Sequence, residues 1–373
     1  MAIWMKASSL ILVLALPAAC GARAASRKIA LKPTASYIDV AARRAELAHH
    51  PTARVREAIA SLASCNRMAF VAAPAGQMRI PPHYLHGSHG PTNPAEAAAT
   101  RVYSAFEHRI VAGMNRFVAS GDGSEAQCAQ DQIDAWARAG ALLRYDQGEE
   151  PQSGFQTEWT LSTVACSESV LVNDEKLDAA ETKRDIAWMN KVAHHLIGFP
   201  GEEKHRNNHH DWRGLAAMAT GVVSNDASLF GFGLRAYMDA VNQIDGRGAF
   251  PLEMARSERS IHYQDFALQP LIPMAEFAER QGVPLYAYRS ATGHTIRDAI
   301  DFLGALVANP SLVRVYTPEP QLYEADSPEF FAAFEFYRRR FPQQALPAAI
   351  EAGLRKPTFN RWLGGNTTVL AGR

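Results

Sequence analysis

Gly214-Leu-Ala-Ala-Met-Ala-Thr-Gly-Val-Val223 is small and apolar along its whole length. A helix of this composition has no polar side to turn toward water, so it must be surrounded by other helices. The stretch just before it, Lys204-His-Arg-Asn-Asn-His-His-Asp-Trp212, is the opposite, with an amide pair, imidazoles and an indole side by side. Asn208 and His209 would therefore sit at the mouth of a core element, on a rigid base, where a catalytic amide and imidazole are useful. The plainer reading is a helix cap with a structural histidine. His205 and His209 stand four apart, but no Glu follows the first His and no carboxylate ligand is evident, so no metal is expected.

Outward from this helix, amphipathic patterns recur over Glu96 to Val118, Glu125 to Leu143, Glu158 to Val172, Ala179 to Ile197, Leu215 to Val223, Leu229 to Val241, Tyr263 to Gln281, Thr295 to Val307 and Pro328 to Phe341. Alternating β-branched runs are scarce, so strand content should be low and the chain all-α. Many antiparallel helices without a fixed-period repeat suit a layered or toroidal helical domain. Residues 73–95 carry Pro74, Pro81, Pro82, Pro91 and Pro94 and three glycines. They are expected to form a long irregular loop, of the kind that serves as a lid or binding loop.

The N-terminus has a basic start, an apolar run from Leu10 to Ala19 and the small-residue ending Ala22-Arg23-Ala24. This is the pattern of a secretory signal peptide covering residues 1–24, with a single mature domain over 25–373 and its core at about 65–365. Cys20 raises a lipoprotein signal, but Pro17 stands where an aliphatic residue would be expected. No later segment is apolar enough to span a bilayer, so the mature protein is expected in the periplasm or outside the cell, with no membrane contact. Cys65, Cys128 and Cys166 then remain. Two can pair in an oxidising compartment, and composition does not choose which. The 38 basic and 38 acidic residues become 36 and 38 once Lys6 and Arg23 leave with the signal. A near-neutral chain has no global field for a nucleic acid, so an acidic ligand must be met by a local basic cleft.

A second polar cluster runs from Phe250 to Pro270. Arg256 and Tyr263 are seven apart, which on a helix places them on one face two turns apart, with Arg259 between them and His262 pointing elsewhere. The bland alternative is an exposed charged helix with a core tyrosine.

Together these segments resemble the alginate lyases of polysaccharide lyase family 5. The family's Asn-Asn-His-x-x-Trp motif is similar to Asn207-Asn208-His209-His210-Asp211-Trp212, and its Asn-Glu-x-x-Arg to Tyr segment to Leu252-Glu253-Met-Ala-Arg256 through Tyr263. Ala267-Leu268-x-Pro270-Leu271, Asp134-Ala-Trp136-Ala-x-x-Gly140-Ala-Leu-Leu143 and Arg361-Trp-Leu-Gly-Gly365 resemble further blocks, the last with one residue inserted. The resemblance runs from about Cys65 to Gly365. It implies an incomplete α/α toroid with a deep cleft, a Cys65–Cys128 disulfide, and cleavage of polymannuronate by β-elimination in the periplasm, without cofactor or metal. A monomer is expected. Asn208, His209, Arg256 and Tyr263 are the expected catalytic set, and His83, Tyr84, Trp136, Trp212, Arg259 and Arg361 the expected substrate contacts.

These residue types suit the chemistry. A polyuronate lyase removes the C5 proton beside a carboxylate and expels the oxygen at C4, so the carboxylate must first be neutralised. Asn208 can donate amide hydrogens to it, and Arg256 can stabilise the developing dianion. His209 can act as base or, when charged, as donor. Tyr263 can protonate the leaving oxygen, and a nearby Arg would favour its phenolate enough to make it a base as well. In mannuronate the C5 proton and the leaving oxygen share a face, so one tyrosine could serve both; for the opposed epimer His209 is the natural base.

Two features depart from the family. His83-Tyr84-Leu-His86-Gly-Ser88-His89 replaces a Lys-Tyr start, which should make binding more dependent on pH. Asp211 places a negative charge near a uronate site unless it faces away or pairs with Arg206 or Arg213. Specificity for polyglucuronate, hyaluronan or another acidic polysaccharide is therefore the alternative. Hydrolysis by a carboxylate pair drawn from Asp134, Glu158 and Glu253, and a non-catalytic polysaccharide-binding protein, are the remaining classes.

Overall fold

Capping side chains mark where most helices begin. The computed structural model describes residues 30–87, 89–199 and 206–373; the expected signal peptide, Cys20, Ser88, Lys204 and His205 lie outside the described residues. Two short helices, α1 (Val40–His49) and α2 (Ala53–Ala60), lead to a hairpin, β1 (Tyr84–His86) and β2 (His89–Thr92). Then come α3 (Pro94–Ser120), α4 (Gly123–Arg138), α5 (Pro151–Leu171), α6 (Ala179–Ile197), α7 (Asn208–Val223) and α8 (Ala227–Gln243). After the single turn α9 (Pro251–Met254) follow α10 (Ser260–Arg280), α11 (Ile296–Ala308), α12 (Phe334–Arg340), α13 (Ala348–Gly353) and α14 (Thr367–Ala371). Asp122, Asp178 and Asp226 accept from the first N–H groups of α4, α6 and α8, and Asn93 does so for α3, whose first residue is proline.

Residues Leu31–Arg373 form one unit, a two-layered α/α toroid. The inner helices α3, α5, α7 and α10 pack in succession, while α4, α6, α8 and α11 pack outside them. Composition sets the layer. In α5 every residue from Gln152 to Leu171 except Phe155 is buried, whereas the outer α4 and α6 keep charged faces. The small residues of α7 allow close approach: a Cβ on Gly214 would lie 2.6 Å from that of Ala236 on α8, and one on Gly233 would lie 2.5 Å from that of Met218. Larger side chains at either glycine would force the two helices apart.

Three expectations are corrected by the fold. Asn208 to Trp212 of the polar cluster lie within the helix rather than before it: α7 starts at Asn208, because Asn207 is the cap and its side chain accepts from the His209 N–H. The segment 73–95 is not wholly irregular, since Tyr84 pairs with Thr92 and His86 with His89 in an antiparallel hairpin. Its short strands, Tyr-Leu-His and His-Gly-Pro-Thr, lack alternation, and tertiary contacts hold them. Gly90 N–H donates to Glu258 and Asn93 N–H to the His83 carbonyl. Finally, no continuous helix joins Arg256 to Tyr263; a turn and the 3-10 segment Ser257–Arg259 separate α9 from α10.

Cys65 and Cys128 form a disulfide that ties the segment before the hairpin to α4. Cys166 is a buried free thiol. The C-terminus closes the unit: buried Arg43 of α1 donates to the carbonyls of Thr368 and Val369 on α14.

Candidate active site

A cleft of about 1420 Å³ opens between the hairpin, the inner helices α3, α5, α7 and α10, and the segment Asn360–Trp362. His209 reaches it from the first turn of α7. Its ring stacks on Phe155 with centroids 3.5 Å apart and planes at 16°, and its Nδ1 lies 3.1 Å from Glu158 Oε2. Glu158 is fully buried, and its other oxygen accepts from Arg213 at 2.6 Å. A carboxylate only accepts, so Nδ1 carries the hydrogen and Nε2 is the nitrogen left for a ligand.

Arg256 and Tyr263 meet although the helix between them is broken. The guanidinium carbon lies 3.7 Å from the ring centre of Tyr263, and Nε is buried without a hydrogen-bond partner. The Tyr263 hydroxyl is 3.0 Å from that of Tyr84 on β1. Arg259 covers the Tyr84 ring at 4.8 Å. Burial pushes the Tyr263 phenol well up and outweighs the pull of Arg256 in the other direction. Arg256 thus favours the phenolate, as expected, while burial keeps the resting group a phenol.

Asn208 lies beneath the cleft rather than on it. Its side chain is fully buried, Nδ2 donates to Glu253 Oε2 at 2.8 Å and its N–H to Oε1 at 2.7 Å. Burial raises the Glu253 carboxyl, while Arg256 and Asn208 pull it down. Trp136 and Trp212 are corrections too, because both are fully buried and neither lines the cleft. Trp136 stacks on Phe106 with centroids 3.6 Å apart. Trp212 packs edge-on behind Trp362. Large apolar rings are placed by burial, which a motif match does not reveal.

The other expected contacts line the cleft. His83 Nδ1 is 3.3 Å from Glu96, and Arg361 donates to Glu107 at 2.6 Å and to Glu329 at 3.3 Å. His262 also lines it, against the expectation that it points elsewhere. It stacks on Phe266, and burial, with Arg259, Arg256 and His83 nearby, lowers its pKa to about 4. Asp211 faces away from the cleft, where burial pushes its carboxyl up; Arg206 pairs with Asp239 and Arg213 with Glu158. The carboxylates considered for hydrolysis are committed elsewhere: Asp134 pairs with Arg138 and Arg184 on the outer layer, and Glu158 and Glu253 hold His209 and Asn208. Phe155, Trp159 and Trp362 are cleft residues the sequence did not single out. The amphipathic reading of Glu158 to Val172 is corrected: α5 is buried nearly all round, so no amphipathic stripe marks its cleft-facing positions.

Comparison with known proteins decides the family. The sequence profile described as alginate lyase matches residues 33–313. The chain belongs to the alginate lyase family. It is similar to a polysaccharide lyase of Stenotrophomonas maltophilia strain K279a, 33% identical over 68% of this chain and 74% of that one. An alginate lyase of Pseudomonas syringae pv. syringae strain B728a is 27% identical over 72% of each. Among solved structures, alginate lyase A1-III of Sphingomonas species A1 superposes with a TM-score of 0.84 and 37% identity, covering 92% of this chain and 97% of that one. A variant of alginate lyase A1-III in complex with a tetrasaccharide gives 0.87 and 36%, over 93% and 98%. An alginate lyase from Bacteroides ovatus, at 16% identity and 0.67, shares the fold. This alginate lyase family member is a polysaccharide lyase whose cleft gathers His209, Arg256, Tyr263 and Tyr84 around one opening.

Proposed function

We propose that this lyase cleaves polymannuronate by β-elimination, leaving a 4,5-unsaturated uronate at the new non-reducing end. The observation that carries the reading is an Arg256 guanidinium with no hydrogen-bond or ion-pair partner among the described residues, stacked over the ring of a protonated tyrosine. A cation without a partner in a cleft suits a uronate carboxylate, and the adjacent phenol suits the leaving oxygen. His209, with its hydrogen on Nδ1 toward Glu158, turns an Nε2 lone pair to the cleft as a proton acceptor, and Asn208, bonded to Glu253 beneath the cleft, supports the arrangement from behind.

On mannuronate the elimination is concerted: the Tyr263 phenol protonates O4 as the C4–O4 bond breaks, and the same oxygen, gaining phenolate character that Arg256 stabilises, takes the C5 proton from the same face as the C4=C5 bond forms. On the opposed epimer the C5 proton goes to His209 Nε2. Another polyuronate, such as polyglucuronate or hyaluronan, is the second reading; it is favoured by His83, paired with Glu96, at a position where the family carries a fixed cation. The signal-like N-terminus supports export to the periplasm, and the protein is proposed to act there as a monomer.

The test is ultraviolet absorbance of the mature protein with polymannuronate, polyguluronate, polyglucuronate and hyaluronan, with chelator present. Absorbance rising fastest on polymannuronate is the expected result. A higher rate on another polymer would move the assignment to that substrate. New reducing ends without absorbance would mean hydrolysis.

A further inference from the structure

Two residues of α5 hold His209. Phe155 and Glu158 are three apart, so they share one face of the helix. The first gives the imidazole a parallel surface at 3.5 Å, and the second accepts from its Nδ1 at 3.1 Å. The two contacts are complementary. Stacking fixes the plane of the ring, while the hydrogen bond fixes which edge faces Glu158, since a ring flipped about the Cβ–Cγ bond would present a carbon there. Glu158 does not touch the cleft; it is fully buried and absent from the lining.

We infer that Glu158 is the positioning residue of the reaction, setting the tautomer of His209 so that Nε2 presents its lone pair to the substrate. The inference rests on the elimination reading. A histidine side chain in water prefers its hydrogen on Nε2, which could then donate but not accept a proton. A buried carboxylate at Nδ1 reverses that preference, because it can only accept. It also steadies the ring when Nε2 gains a proton.

Arg213 makes the assignment testable. It donates to Glu158 Oε1 at 2.6 Å, so after Glu158→Gln the single amide oxygen is claimed by the guanidinium. The amide nitrogen then faces Nδ1 and needs a lone pair there, and the imidazole hydrogen moves to Nε2. The variant keeps volume and stacking while inverting the tautomer.

The experiment uses the full mature chain with 15N-labelled histidine, read by NMR, together with steady-state kinetics on polyguluronate, the epimer whose C5 proton goes to His209; where the wild type leaves that polymer intact, the NMR arm alone decides. In the wild type, Nδ1 of His209 carries the hydrogen. In Glu158→Gln the hydrogen is on Nε2, and kcat falls by about 10²-fold with KM changed little, the scale of a lost acid-base contribution. A kcat within twofold of wild type, or a hydrogen that stays on Nδ1, would overturn the inference. If Glu158→Gln does not fold, Glu158→Asp keeps the charge beside Arg213 and withdraws the acceptor from His209 by one methylene. It is expected to lose kcat and shift the Nδ1 resonance, and unchanged values of both would overturn the assignment. A wild type that yields no unsaturated product from any polymer would defeat the elimination reading, and the NMR experiment would still decide whether Glu158 sets the tautomer.

Discussion

Arg256 lies with its guanidinium carbon 3.7 Å from the ring centre of Tyr263, and this contact spans a break between α9 and α10. The cation and the burial of the phenol act in opposite directions on one proton, and burial prevails. The site thus rests with its acid loaded and with the charge that stabilises the conjugate base already in contact.

Removing the hydroxyl isolates the proton transfer. Tyr263→Phe keeps the ring under Arg256 and loses the bond to Tyr84. Turnover is expected to fall by at least about 10³-fold, with oligosaccharide affinity within a few fold. Product formation by absorbance and binding by calorimetry check this, and near-normal turnover would remove Tyr263 from the chemistry.

Arg256→Ala should cost about 10²–10³-fold in kcat, the scale of one lost electrostatic donor. The pH profile carries the sign. Arg256 pulls the Tyr263 pKa down against burial, so without it the phenolate forms at higher pH. If Tyr263 is also the base, kcat rises with pH while the phenol is the resting form, and the variant's rise is displaced to the alkaline side. A rise at the same pH in wild type and variant, differing only in height, would separate Arg256 from the tyrosine proton.

Trp136 tests core against cleft. It is fully buried, stacks on Phe106, and donates from Nε1 to the Val71 carbonyl at 2.9 Å. Trp136→Ala is expected to cost about 3–5 kcal/mol of stability, as large core truncations do. KM of the folded fraction should not change. A weakened KM at unchanged melting temperature would restore a substrate role.

Glu168 of α5 is fully buried, neither of its oxygens has a hydrogen-bond partner, and burial lifts its carboxyl to about 8. Asp185 of α6 is lifted to about 9 by burial first and by Glu168 next. Because the folded pKa exceeds the ordinary 4.5, the folded state binds more protons than the unfolded one between those values. Its advantage is full below the unfolded pKa and is lost as pH rises toward 8. Glu168→Gln is therefore expected to raise the melting temperature relative to wild type at pH 8, with the gain shrinking toward pH 4. Melting curves across that range check it, and a pH-independent difference would show that the carboxyl is not held neutral.

The amino-acid sequence by itself determined the all-helical class and the α6 span, because periodic burial of apolar residues is a local signal. It also brought out the two clusters that carry His209, Arg256 and Tyr263, through residue types expensive to keep without a partner. Only the tertiary structure decided how these meet. Arg256 reaches Tyr263 through a turn rather than along a helix, His262 faces the cleft, and the hairpin brings Tyr84 to Tyr263 from 179 positions away. It also sent Trp136 and Trp212 to the core and turned Glu158 from a candidate acid into the partner of His209. The reason is physical. Which face of a fully buried helix meets a cleft, and which carboxylate meets which cation, depends on neighbours distant in sequence, and no periodicity within one segment encodes them.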